Sequence, residues 1–268
     1  MPFTQRIHIV GVSPRTGTTL LAECMVACFN IDGHEPHESP LVRLRAGKRV
    51  YLTKRPGDLQ SVAPRLAIDP HFHVICLMRD PRDVVVSRHG KDRSRYWVPL
   101  RVWKQRMPLL RALATHPRFT VIKYEDLVRE PDQVQRQVME RLQFLKATRP
   151  FSTFHGAAAP SSDSLNALGA LRPFDVASIG RWRQQLPRLK GQLERHGPIG
   201  DALIECGYET DREWLHELDG VAADQSLSVI ADERRRTWRR RLRHSRVVLP
   251  WISARIVLAA RAVGVTLG

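Results

Sequence analysis

The stretch Gly11-Val12-Ser13-Pro14-Arg15-Thr16-Gly17-Thr18-Thr19 has the residue types and order of an anion cradle. An apolar run at residues 7–10 precedes it and residues 22–27 follow in a helical pattern, so a strand, a turn and a helix start are legible in sequence. Pro14 stiffens the turn, Gly17 lets the backbone approach a ligand, and Thr18 and Thr19 open a helix with free N–H groups and hydroxyls. Loops that hydrolyse nucleotides read G-x-x-x-x-G-K-[ST]. Here Gly17 is followed by Thr18, and the chain has no lysine before Lys48. Arg15 brings the positive charge instead and is the first candidate for stabilising a group in transfer.

A second anion site is encoded in residues 74–91. An apolar strand ends at Arg79, Asp80-Pro81 starts a helix, and Ser87 follows two turns along it. A guanidinium and a hydroxyl so placed converge on one dianion, and Lys91, a further turn on, reaches the same anion. Lys54, in Tyr51-Leu52-Thr53-Lys54-Arg55-Pro56, ends a short strand and is the second candidate for neutralising charge in the crevice.

The elements that must position these residues alternate. Strands are expected at 6–12, 49–53, 72–78 and 119–124, and helices at 16–29, 80–88, 99–115 and 131–144. Strands so separated lie parallel, and ligands gather at their carboxyl ends. Residues 150–180 lack periodicity and read as a long active-site loop. A helical pattern resumes over 179–196, and a short helix fits 200–207.

The two loops resemble those of the sulfotransferases that use 3′-phosphoadenosine 5′-phosphosulfate (PAPS). Pro14-Arg15-Thr16-Gly17-Thr18-Thr19 is similar to the Pro-Arg-Ser-Gly-Thr-Thr loop of the carbohydrate and tyrosylprotein branches, which holds the 5′-phosphosulfate. Arg79-Asp80-Pro81-Arg82-Asp83 with Ser87 is similar to the family's 3′-phosphate motif. Tyr124-Glu125-Asp126-Leu127 resembles a further family segment, and Ile179-Gly180-Arg181-Trp182 resembles a late one that folds over the nucleotide. The resemblance covers about residues 6–196. It implies a three-layer, P-loop-like α/β fold with a mostly parallel central sheet flanked by helices, and PAPS as co-substrate without a metal. Tyr124, Arg181 and Trp182 join the donor site on this view, with Trp182 stacking and Arg181 clamping a phosphate. Taken alone, a tryptophan such as Trp182 is more often core. The tyrosylprotein branch has a Gly-Glu-Glu segment about twenty residues after its loop arginine, which makes Glu35 the leading base for an acceptor hydroxyl, with His34 or His37 as alternatives. A kinase or nucleotidase is the alternative enzyme, and an arginine-driven binding protein the alternative without catalysis.

Composition fits such a reading. The net charge is +16, with 36 arginines and seven lysines, so anionic partners are favoured. Cys24, Cys28, Cys76 and Cys206 form no metal or CxxC pattern and read as small buried hydrophobes. Residues 1–6 hold no apolar segment, which with the cysteines gives the expectation of a cytoplasmic protein. A sulfotransferase-like domain is expected over 1–210 and a basic, partly apolar helical extension over 211–268. Residues 232–246 carry eight arginines against two acids, and 247–268 are mostly apolar but hold Arg255 and Arg261. That pattern suits a helix lying on an anionic membrane surface, or one packed on the main domain, rather than a spanning one. The acceptor is a hydroxyl compound of unspecified kind, and no nucleic acid is expected.

Overall fold

The computed structural model describes residues 4–39, 47–88 and 92–230. Five strands, β1 (Gln5–Gly11), β2 (Gly33–Glu38), β3 (Val50–Lys54), β4 (Phe72–Met78) and β5 (Phe119–Lys123), form one sheet in the order β2-β3-β1-β4-β5. Every pairing among them is parallel. The central strands are apolar on both faces, as a parallel sheet covered on two sides requires. Ile7 and Ile9 of β1 point to one layer, while Val10 points to the other.

The first layer holds α1 (Thr18–Cys28) and, further along the chain, the long α6 (Pro131–Arg141). The opposite layer holds α2 (Val62–Ile68) and α4 (Leu100–Ala114), whose Trp103, Met107 and Leu110 pack beneath β4. Short α3 (Pro81–Val85) follows β4, and α5 (Tyr124–Arg129) follows β5. The segment read as a loop, 150–180, is built on a 3-10 turn whose Phe151 and Phe154 are fully buried in the first layer, and then α7 (Ser162–Leu168). The remaining helices, α8 (Leu186–His196) and α9 (Gly200–Glu205), form a third cluster with Val85, Trp182, Trp214 and Leu218. Trp214 and Leu218 lie beyond residue 210 yet are buried in this cluster. No helix of the described residues is long and apolar enough to cross a membrane. The expected tail helix from 231 onward lies outside the described residues.

The chain leaves β1 for β2 and β3 on one side, then returns past β1 to β4 and β5 on the other. Strand order therefore reverses at β1, where a doubly wound sheet opens a crevice at its carboxyl edge. The loops after β1 and β4, the two anion motifs of the sequence, leave neighbouring strands at that point. The helix after β4 is shorter than expected. Asp80 caps it through Arg82 N–H at 2.8 Å and Pro81 takes its first position, but it ends at Val85, in a run of three β-branched valines. Ser87 thus lies past the helix end instead of two turns along it.

Candidate active site

The loop after β1 turns tightly. A Cβ on Gly11 would lie 2.4 Å from Thr16 Oγ1, which itself donates to the Ser13 carbonyl at 3.0 Å. Arg15 sits at φ 70° and Gly17 at φ 88°, both in the left-handed region. For a non-glycine residue that conformation costs about 1–2 kcal/mol, and it aims the Arg15 side chain across the crevice. Its Nε donates to Ser87 Oγ at 2.8 Å. Pro14 and Thr16 shape the same turn, Thr16 being buried. The N-terminus of α1, where Thr18 and Thr19 stand, has no side-chain cap and no acid in its first turn, so its amides are left for an anion.

Arg79 faces this loop. One terminal nitrogen donates to the Arg15 carbonyl at 3.2 Å and the other to the Ser178 carbonyl at 2.7 Å, and the guanidinium lies 4.4 Å over the Tyr124 ring. Its buried Nε has no partner. Burial and repulsion from Arg79 hold the Arg15 guanidinium below its ordinary pKa. Two cations this close are stabilised by an anion between them. Tyr124 completes the wall, with its ring where a Gly17 side chain would begin and its hydroxyl 2.6 Å from Ser178 Oγ. Lys91 lies outside the described residues.

Lys54 ends β3 in the same crevice. It is 3% exposed, and its ammonium donates to Thr19 Oγ1 at 3.0 Å. Burial lowers its pKa, with Glu38 and Glu23 opposing the shift. The carboxylate that meets Lys54 is Glu38, 3.9 Å away, and not Glu35. Glu35 instead accepts from the Tyr51 hydroxyl. Side chains alternate along β3, so Tyr51 points to the face opposite Leu52 and Lys54. An irregularity in β2 between His34 and Glu38 sets which acid arrives beside Lys54. His34 is exposed, and His37 is half-buried with its Nδ1 unpartnered.

Residues 22–145 match the family model described as the sulfotransferase family. The match takes in 124 of the chain's 268 residues. The matched stretch contains Lys54, Arg79, Ser87 and Tyr124, and begins just after the first loop. Similar solved structures include the sulfotransferase domain of the Synechococcus PCC 7002 olefin synthase, at 17% identity and TM-score 0.46, covering 68% of this chain and 89% of that one. A mouse sulfotransferase complexed with PAP is 13% identical with TM-score 0.47, covering 76% of this chain and 88% of that one. A comparison with curated proteins finds no match.

The late segment of the chain is clipped over the crevice by an acid to which the sequence reading gave no role. Asp83 accepts from the amides of Gly180 at 2.8 Å and Trp182 at 3.0 Å, and burial raises its pKa. Gly180, at φ 74°, makes the turn between them. Trp182 is not offered to a ligand: it is 1% exposed, with Arg82 and Arg183 each 4.3 Å over its ring and Trp214 edge-on at 6.0 Å. The crevice aromatic is Tyr124. Arg181 is exposed, and its Nε donates to the Ala177 carbonyl at 2.9 Å. Glu125, quoted in the sequence only as part of the Tyr124–Leu127 segment, accepts the Asp80 amide at 3.0 Å and so braces the turn that carries Arg79. All four cysteines are free, and three of them are fully buried.

Proposed function

We propose that the protein transfers a sulfuryl group from PAPS to the hydroxyl of an acceptor. The observation that carries this reading is the joint between the two anion loops: Arg15 donates to Ser87, and Arg79 donates to Arg15. Arginines from neighbouring strand ends therefore open onto one crevice, as a ligand with charge at both its 3′ and 5′ ends requires. Arg15, the α1 amides at Thr18 and Thr19, and Lys54 suit the 5′ phosphosulfate, while Arg79 and Ser87 suit the 3′ phosphate. The unpartnered Arg79 Nε and the mutual repulsion of the two guanidiniums fit such an occupant.

PAPS supplies the activated sulfuryl group and the bisphosphate that leaves. Arg15 and Lys54 offset negative charge building at the transferring group, in a site where burial strengthens the interaction. Glu38, beside Lys54 and open to solvent, takes the acceptor hydroxyl proton. The outer wall of the acceptor side is α7, tied to β2 by Ser161 Oγ donating to the Pro36 carbonyl at 2.7 Å.

Thermal unfolding without magnesium tests the donor assignment. Adenosine 3′,5′-bisphosphate at a hundred times its Kd stabilises the fold by about 2.7 kcal/mol, a shift of a few degrees. ATP or short duplex DNA stabilising the protein as well as the bisphosphate does would sink it.

A further inference from the structure

Ser87, past the end of α3, is placed by chain segments remote in sequence. Its N–H donates to the Val84 carbonyl at 3.1 Å, and its carbonyl accepts from Trp97 N–H at 2.9 Å. Arg88 and Tyr96 form an antiparallel bridge, and Tyr96 pairs in parallel with Ser228. Val229 N–H donates to the Tyr96 carbonyl at 2.8 Å and Ile230 N–H to the Trp97 carbonyl at 3.0 Å. Ser87 therefore sits at the end of a narrow ribbon of three segments, 87–88, 96–97 and 228–230. The outermost segment lies well beyond the residues 22–145 matched by the family model.

One side chain ties this ribbon to α3. Arg188, the third residue of α8, is 0% exposed. Its Nε donates to the Val85 carbonyl at 3.3 Å, two positions before Ser87. Its terminal nitrogens donate to the Ser226 carbonyl at 2.5 Å and to Ser228 Oγ at 2.6 Å. The guanidinium lies 4.3 Å from the centre of the Tyr96 ring, and Arg88 lies 3.8 Å from the same centre. A buried guanidinium costs stability unless its donors are used, whereas an apolar side chain would fill the space without that cost. What the planar fork supplies is direction, because it fixes α3, the ribbon and residues 226–228 relative to one another. The same strap is pressed onto α8: Asp224 N–H donates to the Pro187 carbonyl at 2.8 Å, and a Cβ on Gly191 would lie 2.0 Å from the Asp224 carbonyl oxygen. The chain of contacts ends at the Ser87 hydroxyl, which accepts from Arg15 at 2.8 Å.

We propose that Arg188 is a positioning residue: acting through Val85, Tyr96 and Ser228, it sets the Ser87 hydroxyl for a 3′ phosphate and so governs the preference for a nucleotide that bears one. The assignment rests on the donor reading above. Titration calorimetry of the full chain with adenosine 3′,5′-bisphosphate and with adenosine 5′-phosphate measures that preference. Arg188→Lys keeps the charge but loses the fork. It reduces the preference about tenfold, as loss of the Ser87 hydroxyl does, with affinity for adenosine 5′-phosphate little changed. Ser228→Ala leaves the buried guanidinium in place, removes one of its acceptors and reduces the preference about threefold. In a Ser87→Ala background Arg188→Lys has no further effect on the preference, because it acts through that hydroxyl. A parent protein that binds the two nucleotides equally would overturn the donor reading and this assignment with it. A parent preference that survives whole in both variants, or a loss in Arg188→Lys that adds in full to that of Ser87→Ala, would overturn the role of Arg188 alone.

Discussion

Arg15 and Ser87, separated by 72 positions in the chain, are joined by a hydrogen bond of 2.8 Å between Nε and Oγ. The contact spans two loops that leave different strands, so under the proposed function the group at each end of the donor would also orient the group at the other. Ser87→Ala removes both the acceptor for Arg15 and a hydroxyl donor for the 3′ phosphate. Affinity for adenosine 3′,5′-bisphosphate by titration calorimetry falls about tenfold, the usual effect of one hydrogen bond to a charged group. An unchanged Kd would remove Ser87 from the site.

The two acids of β2 separate the base assignment. Glu38→Gln lowers kcat about 10²–10⁴-fold, the range of a lost general base, with the donor KM little altered. Glu35→Gln, whose partner is the Tyr51 hydroxyl on the other face, leaves kcat within a small factor of the parent. Steady-state rates of the two variants decide the point, and an inactive Glu35→Gln beside an active Glu38→Gln would return the role to Glu35.

Gly17→Ala strikes fold and site together. The position is left-handed, and the added carbon would meet Tyr124 Cδ2 at 2.4 Å. Backbone strain alone costs about 1–2 kcal/mol. Urea unfolding shows at least that loss, and the bisphosphate no longer stabilises the variant. Retention of full stability would mean that the turn relaxes.

Acid weakens the fold through His73 of β4. Burial, followed by the charges of Arg118 and His71, pushes its pKa down to about 4 from the ordinary 6.5. The unfolded chain thus takes up the proton first as pH falls. The stability His73 contributes is complete above about pH 6.5 and is lost as pH drops towards 4. Melting temperature followed over that window declines less in His73→Gln than in the parent, and parallel curves would assign the acid sensitivity elsewhere.

Much of this was legible in the chain. Strands β1, β3, β4 and β5 are short apolar runs bounded by turn residues, and the two anion loops announce themselves by type and order. Strand β2 was hidden because Gly-His-Glu-Pro-His-Glu carries no alternating hydrophobicity and includes a proline, which an edge strand accepts. What holds it is remote: Asp32 accepts the amides of Arg49, at 3.0 Å, and Val50, at 2.8 Å, and so sets β2 against β3. Counting twenty residues from Arg15 finds Glu35, but spacing along a chain does not see the irregularity that brings Glu38 to Lys54. Trp182 was ambiguous for a related reason. An indole near arginines suits a ligand platform or a packed core, and only the positions of Arg82 and Trp214 distinguish them.

The guanidinium of Arg82, held by Asp80 at 2.8 Å and Glu209 at 2.6 Å, lies 4.3 Å from the Trp182 ring and 4.8 Å from the Trp214 ring. It neighbours the turn bearing Arg79, yet half of its lining is translated more than a hundred residues later. During synthesis all five strands leave the ribosome well before that lining exists. The nascent sheet must therefore wait with the turn that bears Arg79 unbraced until most of the chain has been made.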